Sequence, residues 1–560
     1  MLAIIIVTFF IFFSCLGLGI WIYDWLKIQT HILLVLITGL VAVTFISQAI
    51  SFFHPLNDTA SFALIVTMLL VYGHKRKTIH LTLQGAIYKN IVVGFLALPF
   101  LIIGFFIAQE PPLHYDTALY HFQFIIWNHS FPVIPGLANI HGRFGFNNSI
   151  FTAHTIFTFV DLFKQPIFAL NYFLFATGVL GFIKTIYSKF VKDDRTITLL
   201  NLGNVLFFGG FLILTTDVSS PAPDYSANVV LMLLGLVFIN HPPRRNFDWA
   251  PYVLISFYLV TVKLSMLPIL FLAMVGFYYL LRTQSRLFYI TSFIAFSVVA
   301  IWIVRNYIIS GWLIYPFPHV NIQTPDWQVP IETVQFEADA ITGWARIPGM
   351  DIRVSSKLPF LSWFPIWWNH ANYGKIYFTL CLILSFLSLV FLIKRMIIQQ
   401  NTHKTLAITV VLGFVFWFIK APDFRFSLGF LFLMMVLPFY YVRTQNINVL
   451  KSYHTSILFV FIVSLVFVLA TKFHTVIINN ALPKLISGRY TTPKTMEYIG
   501  RPQMDSFYIN DQVFYFPYKS DSTLDFRCYD HCLPCIPTKD TLIGFRGDGL
   551  EDGFYRKGIK

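Results

Sequence analysis

The sequence predicts an all-α polytopic membrane protein. The expected form is a bundle of about fourteen transmembrane helices, with external interfacial helices and a small C-terminal extracytoplasmic α+β domain. Three observations carry this. Of 560 residues, 56% are hydrophobic and only 12% charged, whereas a soluble globule is about a quarter charged. The apolar runs are too many for a single anchor. They also lack the alternation of barrel strands, so each must satisfy its own backbone as a helix. The formal charge of +14 does not indicate nucleic acid as a partner. The basic residues lie mostly in short loops between apolar runs, where they orient a membrane protein. The 62 phenylalanines suit a surface against membrane lipids.

In chain order, spans are expected near 2–23, 31–53, 60–73, 88–107, 167–184, 196–214, 225–240, 249–263, 266–281, 287–305, 373–393, 404–420, 426–442 and 455–473. The first has no basic n-region and no small-residue cleavage site, so it reads as a span and not as a removed signal. Lys27, HKRK at 74–77 with Lys89, the Lys184–Arg195 group, Arg244 and Arg245, Arg282 and Arg286, Lys394 and Arg395, and Arg443 with Lys451 fall on alternate loops. The positive-inside rule makes that side the cytoplasm and puts both termini outside. A span at 147–163 would break the alternation, so this stretch is expected to lie along or dip into the outer interface. Residues 1–473 then form the membrane domain, with external loops 108–166 and 306–372. Residues 474–560 form the external domain, with strands at 505–518.

The external ends of the spans collect polar residues: HYDTALYH (114–121), TTDVSSPAPDYS (215–226), the Lys263–Ser265 turn, RNYIISGWLIYPFP (305–318) and KAPDFRF (420–426). They bring Asp116, Asp217, Asp224, Lys263, Arg305, Lys420, Asp423 and Arg425 to one face, and ionisable groups at a membrane rim usually mark a site. Each residue also has a plain role. Asp116, Asp224 and Asp423 are placed to cap helices, and Arg305 and Lys420 to snorkel to head groups. A helix from 117 to 127 would be amphipathic, turning Phe122, Ile125, Ile126 and Trp127 to lipid. His114, His121, His129, His141 and His154 crowd one region, but no pair has metal-ligand spacing. No metal is therefore expected, although a divalent ion is compatible with the acidic residues.

A rim carboxylate among cations from other spans suits transfer from an anionic lipid. Arginines hold a phosphate leaving group through their planar fork, and the carboxylate is general base toward an acceptor hydroxyl. Asp116 is the expected base. Tyr120, His121, Arg143, Asn147, Asp224, Lys263, Arg305, Asn306, Arg346, Lys420, Asp423 and Arg425 are the expected substrate contacts. One base and displacement at an anomeric carbon imply inversion. The rivals are a lipid-linked saccharide flippase, a polysaccharide polymerase or ligase, and a non-catalytic scaffold. Against transport stand the lack of an internal two-fold repeat and of charges deep in mid-span.

This plan resembles the GT-C class of membrane glycosyltransferases, multi-span bundles with an essential acid in an early external loop, where Asp116 stands here. More closely, the chain resembles an uncharacterised family of large bacterial membrane proteins associated with surface-polysaccharide loci. The stretches that match are YDTALYHFQFIIW, VIPGLANIHGRFGFNNS, SSPAPD, TVKLS, RNYIISGWLIYPFP, WFIKAPDFRF, CYDHCLPC and GFRGDGLEDGF. The resemblance implies a polyprenyl-phosphate-linked sugar donor, a glycan, lipid or protein acceptor, and a location in the bacterial cytoplasmic membrane with the site on its outer face. Two departures stand out: three spans precede the one leading into the acidic loop, and that loop has a single Asp. Cysteines 528, 532 and 535 have C-x3-C-x2-C spacing. In an external tail this points to a disulfide and not to an iron–sulfur cluster. The related pattern has no middle cysteine and implies a Cys528–Cys535 pair.

Overall fold

A computed structural model of the protein describes residues 2–28, 31–88, 90–112, 114–192, 199–213, 217–283, 285–370, 382–391, 393, 403–441, 503–518 and 525–558. Helices dominate. The first two, α1 (Leu2–Leu26) and α2 (Ile32–Ile50), form a tight hairpin. Their backbones touch at Gly19 and Gly39, where a methyl group would overlap the carbonyls of Val35 and Cys15. Small residues at a crossing allow this close packing in a membrane. There follow α3 (Asp58–Tyr88), kinked at Lys75, α4 (Ile91–Ala108), α5 (Phe122–Ser130), α6 (Ile150–Ile156), α7 (Val160–Phe163), α8 (Leu170–Lys192) and α9 (Leu199–Ile213). The axis of the bundle is α10 (Pro223–Asn240), buried from Tyr225 to Ile239 against α2, α8, α11 (Ala250–Val262) and α19 (Leu428–Tyr441). Between α11 and α19 come α12 (Leu270–Thr283), α13 (Ser285–Ser310), α14 (Ile331–Arg346), α15 (Ile352–Ser355), α16 (Phe360–His370), α17 (Leu382–Phe391) and α18 (His403–Lys420).

Among the described residues, seven helices are long and apolar enough to cross a membrane: Leu2–Leu26, Ile32–Ile50, Ile91–Ala108, Leu170–Ser188, Pro223–Asn240, Leu264–Arg282 and Arg286–Ser310. The other expected spans are not among these seven. The apolar part of α3 runs directly into HKRK, α18 carries lysine near both ends, and α11 is short of the roughly 20 residues that cross a hydrocarbon core, while the expected spans that contain α9, α17 and α19 extend beyond the described residues. The expected span at 455–473 lies outside the described residues.

Two expectations about the surface are corrected. The segment from Thr117 to Asn128 does not turn an apolar face to lipid: Phe122, Ile125 and Trp127 are buried and Ile126 is half-buried. Residues 150–156, the helical core of the 147–163 stretch, do not lie along a surface either, although Asp161 and Leu162 are exposed. Every residue of α6 is buried, and the helix packs on α2 and α5. The hydroxyls of Thr152 and Thr155 donate to carbonyls three or four residues back at 2.7–2.8 Å, whereas both ring nitrogens of His154 are buried with no hydrogen-bond partner among the described residues.

The C-terminal segment forms two antiparallel hairpins, β1 (Gln503–Ile509) with β2 (Gln512–Tyr518), and β3 (Ile543–Phe545) with β4 (Phe554–Arg556). Its inward side chains share one apolar cluster with the 119–151 segment and with Ile309, Trp312 and Tyr315. Cys528 and Cys535 are disulfide-bonded, while Cys532 is free and exposed.

Candidate functional site

The site is made from helix ends. Beyond α4, residues 114–116 lead into a π-turn, Thr117–His121, continuous with α5. Such turns inside helices recur at functional sites. Asp116 stands at the start of this turn, but its side chain makes no capping bond. Arg143 Nη1 donates to Oδ1 at 2.7 Å, and Arg425 Nη1 donates to Oδ2 at 3.0 Å. The capping role is therefore corrected for Asp116, since charge-assisted bonds to two guanidiniums outweigh a bond to a backbone amide. Arg143 comes from the 3-10 turn Gly142–Phe146, and Arg425 from the turn Phe424–Phe426 between α18 and α19.

Each arginine is held by a second acid. Arg143 Nε is 3.8 Å from Glu337 Oε2 on α14, and its guanidinium lies 5.6 Å from the Tyr120 ring centroid. Arg425 Nε donates to Asp423 Oδ2 at 3.0 Å. Asp423 Oδ1 also accepts from the Arg425 backbone N–H at 3.1 Å, so Asp423 keeps its capping role. Arg425 Nη1 donates to His114 Nε2 at 3.1 Å as well. A guanidinium cannot accept, so His114 is neutral with its proton on Nδ1. That nitrogen is buried with no hydrogen-bond partner among the described residues. One turn into α10, Asn228 donates to the Arg425 carbonyl and accepts from the Gly429 N–H, both at 2.8 Å, which pins the Arg425 turn to the bundle axis.

A second ion pair closes the same end. Lys263, just past α11, pairs with Asp224 in the first turn of α10, and its ammonium lies 3.7 Å from the Phe426 ring centroid. Asp224 makes no capping bond, so its capping role is also corrected. Thr117 Oγ1 is hydrogen-bonded to Ser220 Oγ at 2.6 Å and to His121 Nδ1 at 3.2 Å, tying the π-turn to the loop before α10.

Environment drives the two carboxyls beside Arg143 apart. Burial alone would raise Asp116. The Arg143 and Arg425 guanidiniums outweigh burial and hold the carboxyl well below the usual range. Glu337 moves the other way: burial raises it, Arg143 only partly offsets this, and the charge on Asp116 adds to it. Burial also raises Asp217, against the pull of His114 and Arg425. Burial pushes His121 well below the imidazole range and His141 to about 3, so both rings are neutral.

Five expected contacts lie elsewhere. Arg305 neither snorkels nor reaches the cluster. It is fully buried, donating to Asn147 Oδ1 at 3.3 Å, to Asn128 Oδ1 at 2.9 Å and to Ser51 Oγ. Asn147 and Asn306 belong to the same network, Asn147 Nδ2 donating to Asn306 Oδ1 at 2.9 Å. Arg346 is a strap: it donates to the carbonyls of Ser356 at 2.7 Å and Ile419 at 3.3 Å, and stacks on Trp363. Lys420 is exposed at the end of α18. Sequence reading did not single out Glu337 or Asn228. In the structure Gly142, beside Arg143, leaves the space that Glu337 fills, since a methyl group there would meet Glu337 Oε1 at 2.6 Å.

The C-terminal segment covers the π-turn. Tyr529 N–H donates to Ala118 O at 2.8 Å. Gln123 Nε2 donates to the carbonyls of Tyr529 at 3.0 Å and His531 at 2.9 Å. The Arg527 guanidinium lies 5.1 Å from the Tyr115 ring and 4.9 Å from the Tyr529 ring, next to Asp116 in the chain. No curated protein and no solved structure matches the chain. The family model described as Domain of unknown function (DUF8201) matches residues 1–432, more than half of the chain, and the protein belongs to that family.

Proposed function

We propose that this protein is a glycosyltransferase of the bacterial cytoplasmic membrane. It moves a sugar from a polyprenyl-phosphate-linked donor to a surface glycan, lipid or protein acceptor on the outer face, with inversion. The observation that carries this reading is the Asp116 carboxylate held between Arg143 and Arg425 where several apolar helices end. An ionised carboxylate saturated by two guanidiniums is a weak base. A donor phosphate brings more negative charge and matches the arginine fork, so it competes for Arg143 and Arg425 and releases Asp116. The acceptor hydroxyl then attacks the anomeric carbon as the bond from that carbon to the phosphate oxygen breaks. Its proton passes to Asp116, and polyprenyl phosphate leaves on the arginines. The unpartnered His114 Nδ1–H offers a further donor to the phosphate.

A second assignment of the base rests on Glu337, the carboxyl whose environment favours the protonated form. Carboxyls driven apart in this way commonly divide acid and base duties. The deciding experiment uses purified protein in vesicles with a polyprenyl-phosphate sugar and a hydroxyl acceptor, comparing wild type, D116N and E337Q. Transfer lost in D116N with protein accumulating normally supports Asp116 as base. Transfer kept in D116N but lost in E337Q moves the base to Glu337. Translocation of the lipid-linked sugar without transfer makes the protein a flippase and overturns the reading.

A further inference from the structure

A second cluster lies away from Asp116. Asp58 opens α3, His129 sits in the last turn of α5, and Asp161 is carried by α7. From Asp116 to His129 the chain is helical, so the two clusters are about 20 Å apart at 1.5 Å per residue. One ligand atom from each of Asp58, His129 and Asp161 lies within 4.8 Å of the others. His129 Nε2 is 3.9 Å from Asp58 Oδ1 and 3.6 Å from Asp161 Oδ2.

Ordinary roles do not account for this arrangement. The amides at the start of α3 are capped by Asn57, whose Oδ1 accepts from the N–H groups of Thr59 and Ala60, so Asp58 is not needed there. Its Oδ2 accepts from the Leu162 N–H at 2.8 Å, which turns Oδ1 toward His129. The Asp58 side chain is 9% exposed. Its Oδ1 and His129 Nε2 are both buried, and neither has a hydrogen-bond partner among the described residues. An imidazolium facing a carboxylate closes to about 2.7–2.9 Å, and these atoms stay about an ångström further apart. Two ligands bound at about 2.0–2.2 Å to one tetrahedral ion are separated by roughly 3.5 Å. The 3.9 and 3.6 Å spacings to His129 need to contract only slightly to meet that, and the two carboxylates, already within 4.8 Å of each other, close the rest as an ion binds.

We propose that Asp58, His129 and Asp161 bind a divalent transition-metal ion of the Zn2+ class, with water completing the shell. The imidazole ligand favours such an ion over Ca2+ or Mg2+. The bond from Leu162 to Asp58 is the outer contact that orients a metal-binding carboxylate. The ion clips α7 to the start of α3 and to the end of α5, the helix whose other end leads to Asp116. The site is structural and does not depend on the proposed reaction. Sequence reading expected no metal because no histidine pair has ligand spacing; here the three ligands come from three separate segments.

The full chain, purified in detergent with a tag that lacks histidine, is stripped with EDTA, dialysed, and offered Zn2+. Bound metal is measured by mass spectrometry and thermal unfolding is followed with and without the ion. The wild type is expected to take up about one Zn2+ per chain and to gain a few degrees of Tm, with Mg2+ and Ca2+ giving neither effect. D161N alters an exposed side chain and folds normally, which its size-exclusion profile checks; it is expected to bind Zn2+ at least about 100-fold more weakly. H129N is expected to behave the same way. If the wild type takes up no stoichiometric Zn2+, or D161N and H129N keep both the wild-type content and the Tm gain, the site does not exist.

Discussion

Two arginine-centred clusters differ in what surrounds the charge. At Asp116 the two guanidiniums face three carboxylates, those of Asp116, Glu337 and Asp423, and both arginines keep some exposure. At Arg305 the guanidinium has no carboxylate partner among the described residues and donates to two amide oxygens and a hydroxyl. The first arrangement can exchange partners, because an incoming anion replaces one negative group with another. The second cannot, because Asn147, Asn128 and Ser51 are themselves fixed in the core. Asn147, for example, is locked by the Trp302 indole donating to its carbonyl at 2.8 Å. An arginine at a helix end is thus placed for binding only if its partner is replaceable.

Substitutions test that distinction, and the largest effect is expected at Asp116. D116N keeps the size and one acceptor oxygen but removes the base, so transfer should fall about 100- to 10,000-fold with protein levels unchanged. Loss of protein together with activity would make Asp116 structural, like Arg305. Next comes R305L, which leaves the acceptors of Asn147, Asn128 and Ser51 without their donor. It should cost about 3 kcal/mol or more and be seen as failed accumulation in the membrane. An R305L protein that accumulates normally but loses activity would erase the contrast.

R143K and R425K should come third. Each keeps the charge and loses the fork, so the donor KM should rise about 10-fold while membrane levels hold. The pH profile should separate the two carboxyls beside Arg143. Asp116 has a depressed folded value, so its ion pairs stabilise fully above its unfolded value near about 4 and are lost only as pH falls through the depressed one. Acidification to about pH 5 should leave the cluster intact. Glu337 is raised, so its protonated form contributes below the unfolded value, and that contribution is lost as pH rises through the folded one. An activity transition displaced above the ordinary glutamate range should therefore persist in D116N's residual activity and vanish in E337Q. The smallest effect is expected for R346A. It removes a strap between backbone carbonyls and should cost about 1 kcal/mol in thermal unfolding with no change in donor KM.

The membrane class, the order of most helices, the strands within 505–518 and the gathering of acids and bases at one set of helix ends were all legible in the linear chain. Hydrophobicity sums over neighbours, and helix ends are marked by Pro, Asp and Gly within a few residues. The expected span at 249–263 was less legible, because α11 is buried by other helices at a length that would not cross a bilayer alone.

Which charges meet was decided by the tertiary structure alone. Asp116 and Arg425 are 309 residues apart, and nothing at either position distinguishes Arg425 from Arg305 or Arg346 as its partner. That choice follows from α10 at the bundle axis, which fixes the Arg425 turn through Asn228. It follows equally from the burial of α5 and α6, which turns Arg143 toward the same carboxylate. Apolar character is a local property of the chain, whereas an ion pair depends on how helices pack and on where each turn leaves its side chain.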